Sequence, residues 1–308
     1  MKIKITLFIL LCGVLAFQST LAADDLKLQK VTENVYAIVG SLANRSPENL
    51  GNNATFGFVV TTQGVVLIDS GGTYKGAQKI HEVIKGVTDQ PVVAVINTGG
   101  QDHRWMGNDY FKKQGARLIA SKRAVEDQKA RTQDQFARLA NTAGDDALIG
   151  THAVYADELF DSEMQLLVGD TTLELRHEGR AHTPGDSVVW LPKEQVVFTG
   201  DIVYTERMLS IGEDSNSKAW VKAFEAMTSF NPKHVIPGHG HLTNLDKARL
   251  DTYDYLTSLR DSVAAFIEEG GDISEIRQID QSKFNYLLNY DTLAGRNAQK
   301  VFTELEWE

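Results

Sequence analysis

In this chain the residues able to carry chemistry stand where apolar runs stop. Val66-Leu67-Ile68 runs into Asp69, Val95-Ile96 into Asn97-Thr98, Val197-Phe198-Thr199-Gly200 into Asp201, and Val235-Ile236-Pro237-Gly238 into His239. Short runs rich in Val and Ile and closed by turn residues read as strands. Loops at strand ends are where a rigid sheet presents ligands. By the same pattern strands are expected at 35–40, 56–61, 65–69, 92–97, 117–120, 165–175, 187–191, 196–199 and 234–236. Helices are expected at 77–87, 105–113 and 218–229, the last with Val221, Phe224 and Met227 on one stripe. Leu256, Leu259, Val263 and Phe266, and then Ala294, Ala298, Val301, Phe302 and Leu305, follow a 3.6-residue period and predict two helices that cover a sheet. The polar segment 122–146 reads as a surface helix and loop set between two strand-rich halves. Strands and helices in this alternation argue an α/β layered fold.

The first residues bound the compartment. Met1-Lys2-Ile3-Lys4, an apolar run from Ile5 to Phe17 and small residues at Thr20 and Ala22 have the layout of a cleaved secretory signal over residues 1–22. A lipoprotein signal at Cys12 is the rival, but Leu11 before it is bulky and the apolar run continues past it. The expected product is one domain, 23–308, periplasmic or secreted, with no stable membrane insertion, since the run is too short to span a bilayer. Cys12 is the only cysteine, so any metal in the mature chain must be held by His, Asp or Glu. A net charge of −10 disfavours nucleic acid or an anionic membrane as partner and leaves a small-molecule substrate. With 42% hydrophobic residues and no Pro/Ser-rich linker, the chain is expected to bury one large core.

Singly, each candidate has a bland reading. Asp69 could merely cap a turn, His182 could be a hydrogen-bonded loop histidine, and Gly200-Asp201 could be a plain turn. In order, Ala181-His182-Thr183-Pro184-Gly185-Asp186, Thr199-Gly200-Asp201 and Pro237-Gly238-His239-Gly240 resemble the metallo-β-lactamase-fold hydrolases. There a loop of pattern H-x-H-x-D-H, a His in H-T-P-G, an Asp in G-D and a late His in P-G-H-G surround one or two metal ions. The resemblance implies a four-layer αββα metallo-β-lactamase sandwich, with His182, Asp201 and His239 as metal ligands and Asp69 as a brace of the ligand loop. By chemistry His241 would serve as well as His239; the resemblance selects His239. The stretch from Glu48 to Val60 is similar to an exported subgroup related to the hydrolases of sulfur-oxidation and quinoprotein gene clusters.

The ligand loop departs from that pattern. An ungapped register between Asn97-Thr98 and Gly107-Asn108 sets Gly99 and Gln101 where the family has its first two histidines, His103 at its Asp and Arg104 at its third His. A gapped register keeps Asp102-His103 as the D-H pair at the cost of an extra residue before Gly107; the ungapped one is adopted here. In both, two early histidines are absent, and Gln101 is a poor zinc ligand. A first ion would keep only His182 and Asp201, whereas a second site retains His103, Asp201 and His239 with a fourth position for water. The expectation is therefore an exported hydrolase with one zinc-type ion, cleaving an ester, thioester or amide bond, with Asp102 orienting the water. Arg104 is expected to meet substrate, its charge standing in for a lost metal. The alternative is a metal-poor or metal-free ligand-binding protein on the same scaffold.

Overall fold

The computed structural model describes residues 26–308; the expected signal segment, 1–22, lies outside the described residues. Seven strands form the first sheet: β1 Lys27–Lys30, β2 Val35–Val39, β3 Thr55–Thr61, β4 Gly64–Ile68, β5 Val92–Asn97, β6 Arg117–Ser121 and β7 Glu158–Phe160, side by side in sequence order. β1 to β4 pair antiparallel, and β4 to β7 parallel. The second sheet has β8 Glu163–Val168, β9 Thr171–Arg176, β10 Val188–Leu191, β11 Val196–Phe198 and β12 His234–Ile236, in the order β12-β11-β10-β9-β8, with only β11 and β12 parallel.

The period of two along each strand sorts its side chains between layers. Val66 and Ile68 of β4 and Ala94 and Ile96 of β5 face Leu173, Leu175, Val189, Val196 and Phe198 of the second sheet, forming the core between the sheets. Approach there is close: a Cβ on Gly57 would stand 2.3 Å from the Phe198 ring. On the outer face of the first sheet, Val65, Leu67 and Val95 pack against Ala77, Ile80 and Ile84 of helix α1, Tyr74–Lys85. Four further helices follow on that side: α2 Asp102–Trp105, α3 Asn108–Lys112, α4 Lys122–Ala143 and α5 Asp145–Leu148. Outside the second sheet, Val188, Trp190 and Val197 meet Trp220, Phe224 and Met227 of α6, Ser217–Thr228. After the short α7, Leu245–Ala248, the same cluster takes Leu256, Leu259 and Val263 from α8, Asp254–Glu268, and Val301 and Phe302 from α9, Tyr290–Leu305. The result is helix, sheet, sheet, helix: the four-layer αββα sandwich. Each fully buried aliphatic or phenyl side chain contributes about 1.5–3 kcal/mol, so the three apolar layers carry the fold. No helix among the described residues is long and apolar enough to cross a membrane.

Three local expectations need correction. The apolar run 165–175 is not one strand but the hairpin β8–β9, turned at Gly169-Asp170 where Gly169 has φ +59°. The buried positions pass from even numbers in β8 (Leu166, Val168) to odd numbers in β9 (Thr171, Leu173, Leu175), a change of phase at the turn that the overall apolar character of the run masked. The helix expected at 105–113 is broken into α2 and α3 because Gly107 presses on the preceding loop: a Cβ there would stand 2.1 Å from the Ser70 carbonyl oxygen. Segment 122–146 is more than surface, since Gln128 and Gln135 of α4 donate to the carbonyls of Gly99 (3.0 Å) and Gly100 (2.8 Å).

Candidate metal centre

Parallel pairing of β4 with β5, and of β11 with β12, sends the C-terminal ends of each pair the same way. The loops that follow carry Asp69, residues 97–104, Asp201 and His239, so strand direction alone gathers them. Asp69 turns the chain with φ +65°, a left-handed conformation that Asp tolerates better than most residues. Its carboxylate accepts from the Thr98 N–H (2.7 Å), the Thr98 hydroxyl (2.8 Å) and Arg104 Nη1 (2.9 Å). Glycines let the second sheet's loops close in: a Cβ on Gly200, where φ is +50°, would lie 2.4 Å from Thr98 Oγ1, and one on Gly238 would lie 2.2 Å from the Gly200 carbonyl oxygen.

Arg104 fills the middle of this junction. Nε and Nη2 donate to the two oxygens of Asp201 (3.2 and 2.7 Å), Nη1 to Asp69 and the Thr55 carbonyl (3.1 Å), and Nη2 also to the Gly238 carbonyl (3.0 Å). All five N–H groups of the guanidinium are used, and the side chain has no solvent exposure. Burial alone would lower its pKa, but the charges of Asp201 and Asp69 outweigh that and raise it. The expectation that Arg104 meets substrate is corrected by this saturation: its partners are the two carboxylates, one from each sheet.

Beyond Arg104, both oxygens of Asp201 have a histidine neighbour: His103 Nε2 is 3.3 Å from Oδ2, and His239 Nε2 is 3.2 Å from Oδ1. His103, Asp201 and His239 are the one group of His, Cys, Asp or Glu among the described residues whose potential ligand atoms all lie within 4.8 Å of one another. Burial opposes the charge on Asp201, yet Arg104 and His103 hold its carboxyl well below the usual range. Burial pushes His239 well below an ordinary imidazole, leaving it neutral and able to offer a lone pair. Two imidazoles and a carboxylate suit a zinc-type ion with an open position. Asp201 and Asp69 share one guanidinium, so one carboxylate charge is left for a cation to offset. Arg45 Nη2, 2.8 Å from His103 Nδ1, donates to that nitrogen and orients the ring, while Asp102 Oδ1 pairs with Arg45 and stands 3.3 Å from the same nitrogen. The residues present fit such an ion.

His182 stands apart from that group. Its ring faces Trp220 (centroids 5.5 Å apart) and Tyr204 (5.8 Å), and Nδ1 is 3.0 Å from the Ser210 carbonyl oxygen, which fixes that nitrogen as the donor. Burial pushes its pKa down to about 4, so it is a neutral wall of the site. Asp102, expected to orient a water, is also placed otherwise. It is fully buried, ion-paired to Arg45 and bonded to the His103 N–H (2.8 Å), and it does not line the cleft. Burial would raise its pKa, but Arg45 and His103 hold it well below the ordinary carboxylate range. Its position makes it a support of His103. Asp186 does for the His182 turn what Asp69 does for the ligand loop, accepting from the Thr183 N–H (2.6 Å) and hydroxyl (2.5 Å). It also explains Gly99, where a Cβ would stand 2.5 Å from Asp186 Oδ1.

The centre lies beside a cleft of about 710 Å³ that His103, His182 and His239 line together with Arg45, Tyr204 and Arg207. Tyr204 stacks on His239, centroids 4.4 Å apart, and burial raises its phenol pKa well above the usual value, so it presents an O–H. Sequence reasoning missed Arg45, from the loop between β2 and β3, and Tyr204 and Arg207, from the loop between β11 and α6, none of which belongs to a local motif. Tyr204 alone had a signal, one short turn after Asp201 in the 3-10 segment Gly200–Ile202.

Comparison with known proteins agrees with this geometry. The profile of the metallo-beta-lactamase superfamily matches residues 51–239, more than half of the chain. The metallo-beta-lactamase type 2 of Elizabethkingia meningoseptica is 24% identical over 244 residues, covering 78% of this chain and 88% of that protein. Among solved structures, a metallo-beta-lactamase from Pontibacter korlensis superposes with a TM-score of 0.60 at 21% identity, covering 76% of this chain and 99% of that one. A stereoselective inverting sec-alkylsulfatase from Pseudomonas sp. gives a TM-score of 0.70 at 18% identity, covering 90% of this chain and 50% of that one. Ligand-bearing loops on two facing sheets, together with the profile match, lead to one conclusion: the chain belongs to the metallo-beta-lactamase superfamily.

Proposed function

We propose that the protein is an exported metal-dependent hydrolase that holds one zinc-type ion on His103, Asp201 and His239 and cleaves an ester, thioester or amide bond of a small molecule. The observation that carries the proposal is the convergence of those three side chains beside an open cleft. Relatives named as β-lactamases and an alkylsulfatase support hydrolysis as the reaction class. An ion held by His103, Asp201 and His239 would supply Lewis acidity and lower the pKa of a water molecule.

The chain's own residues do the rest. Arg104 fixes both oxygens of Asp201, and Asp102 with Arg45 fixes the ring of His103, so the ligand atoms are held before anything binds. The Tyr204 O–H is a neutral donor within the cleft wall, suited to an oxygen that gains charge during acyl transfer. His182, neutral and tied by Nδ1 to Ser210, turns its other nitrogen to hydrogen bonding in the cleft. With His182 outside the ligand group, a second ion has no comparable set of side chains among the described residues.

Elemental analysis of the purified mature protein is the test. The expected result is about one zinc-type ion per chain, lost in Asp201→Asn and His239→Ala together with hydrolysis of small activated esters. Two tightly held ions would overturn the single-site assignment. The Arg104–Asp201 pair supports a second reading, a metal-free binding protein, because it gives the carboxylate a counter-ion without metal. No bound metal together with chelator-insensitive ligand binding would select it. Export is tested separately, by mass spectrometry of the N-terminus, which should begin near Ala23.

A further inference from the structure

Arg207 is a buried cation with too few partners. The residue is only 7% exposed, its Nη1 donates to the Ala43 carbonyl (3.2 Å), its Nε has no partner, and no carboxylate among the described residues stands within ion-pair distance. A guanidinium cannot shed its proton in a protein, and an unpaired buried charge is costly. The buried Arg104 has two carboxylates, the half-buried Arg131 has Asp127 and Asp214, and the half-buried Arg45 has Asp102.

Of the nine buried side-chain polar atoms without a partner among the described residues, four gather at the cleft. Arg45 Nε, Asn53 Oδ1 and His239 Nδ1 are also buried without a partner, and all four side chains line the same cleft. The Ala43 carbonyl that holds Arg207 also accepts from Asn53 Nδ2 (3.3 Å), so Arg207 is tied to the loop that carries Arg45. The two guanidiniums are close enough to repel each other. Of the acids that line the cleft, Asp214 is engaged by Arg131 and Glu213 is exposed to solvent.

We infer that the cleft seats an anionic group of its ligand, a carboxylate, sulfate or phosphate, against Arg207 and Arg45, beside His239 and away from the internal Arg104. That such a ligand is the substrate rests on the hydrolase reading; the binding of the anion does not. The substrate class is then an anionic ester, thioester or amide. The negative group occupies the arginine side of the cleft, and the scissile bond lies over His103, Asp201 and His239.

The test is thermal unfolding of the full chain with increasing sodium sulfate, sodium phosphate or sodium acetate, against sodium chloride at matched ionic strength, in wild type, Arg207→Leu and Arg207→Lys. At least one oxyanion should raise the unfolding temperature of wild type beyond chloride, and the one whose protection falls most in Arg207→Leu identifies the group's shape, since sulfate and phosphate also stabilise proteins in general. Loss of a charged hydrogen-bonding partner should weaken that protection about tenfold or more in Arg207→Leu. Arg207→Lys, which keeps charge but not the fork, should lie between them, and it serves alone if the leucine variant does not fold. Equal protection in wild type and both variants, or none beyond chloride in wild type, overturns the inference. Because the readout is binding, it holds or fails whether or not any ester is hydrolysed.

Discussion

At the scale of single residues, Arg104 is where the most free energy is concentrated. Removing one member of a buried, hydrogen-bonded ion pair costs about 3–5 kcal/mol because the remaining charge is stranded. Arg104→Leu strands both Asp69 and Asp201, so urea denaturation should show a loss at or beyond the top of that range. Asp69→Asn should also lower stability, by about 1–3 kcal/mol through its unsatisfied loop partners. Asp186 sets a pH dependence. Burial and the neighbouring charges of Asp201 and Asp127 push its carboxyl up from 3.8 to about 8. The folded protein therefore keeps a proton that the unfolded chain releases, and this contribution to stability is complete below about pH 4 and is lost as pH rises toward 8. Denaturation at several pH values should show a steeper decline for wild type than for Asp186→Asn; equal slopes would refute the assignment. Asp69, Asp201 and His239 stand out in the sequence because each closes an apolar run. The inward turn of Arg104 does not, since nothing local says that two carboxylates from different sheets wait for it.

At the scale of elements, the support of the centre depends on how closely backbones approach. Gly185, in the turn after His182, lies under the start of α4: an added Cβ would meet the Ala124 backbone nitrogen at 2.0 Å, and Ser121 Oγ donates to the Gly185 carbonyl (2.9 Å). Gly185→Ala must push α4 outward, and α4 is what holds the Gly99 and Gly100 carbonyls through Gln128 and Gln135. Overpacking of this kind costs about 1–3 kcal/mol. The expected outcome is a lower unfolding temperature together with weaker metal affinity, whereas Gly115→Ala, strained by its φ of +90° but with nothing within 4 Å of the added Cβ, should lower stability alone. Periodicity made the central strands and the long helices readable, because burial enforces it. The α2–α3 break was not legible, because it comes from a contact with Ser70 far away in sequence; the β8–β9 turn left only a one-residue change of phase between Val168 and Thr171, which a single apolar run conceals.

At the scale of the whole molecule, the periodicity of the sequence shows an α/β layered fold, while the αββα layering is implied by the resemblance of the 181–186, 199–201 and 237–240 motifs to the family. The cleft follows from neither, because its walls come from loops that only the packed sandwich brings together. Stripping the ion with a chelator should abolish ester hydrolysis and leave the unfolding transition cooperative, which calorimetry with and without chelator would check. The reason lies in the two carboxylates that share Arg104: many metal sites are assembled by their ion, whereas this one is assembled by a residue the ribosome has already supplied. Maturation can then run in a fixed order, folding first and loading second. Scarcity of metal in the surroundings would leave a standing pool of intact, inactive molecules rather than a shortfall of protein.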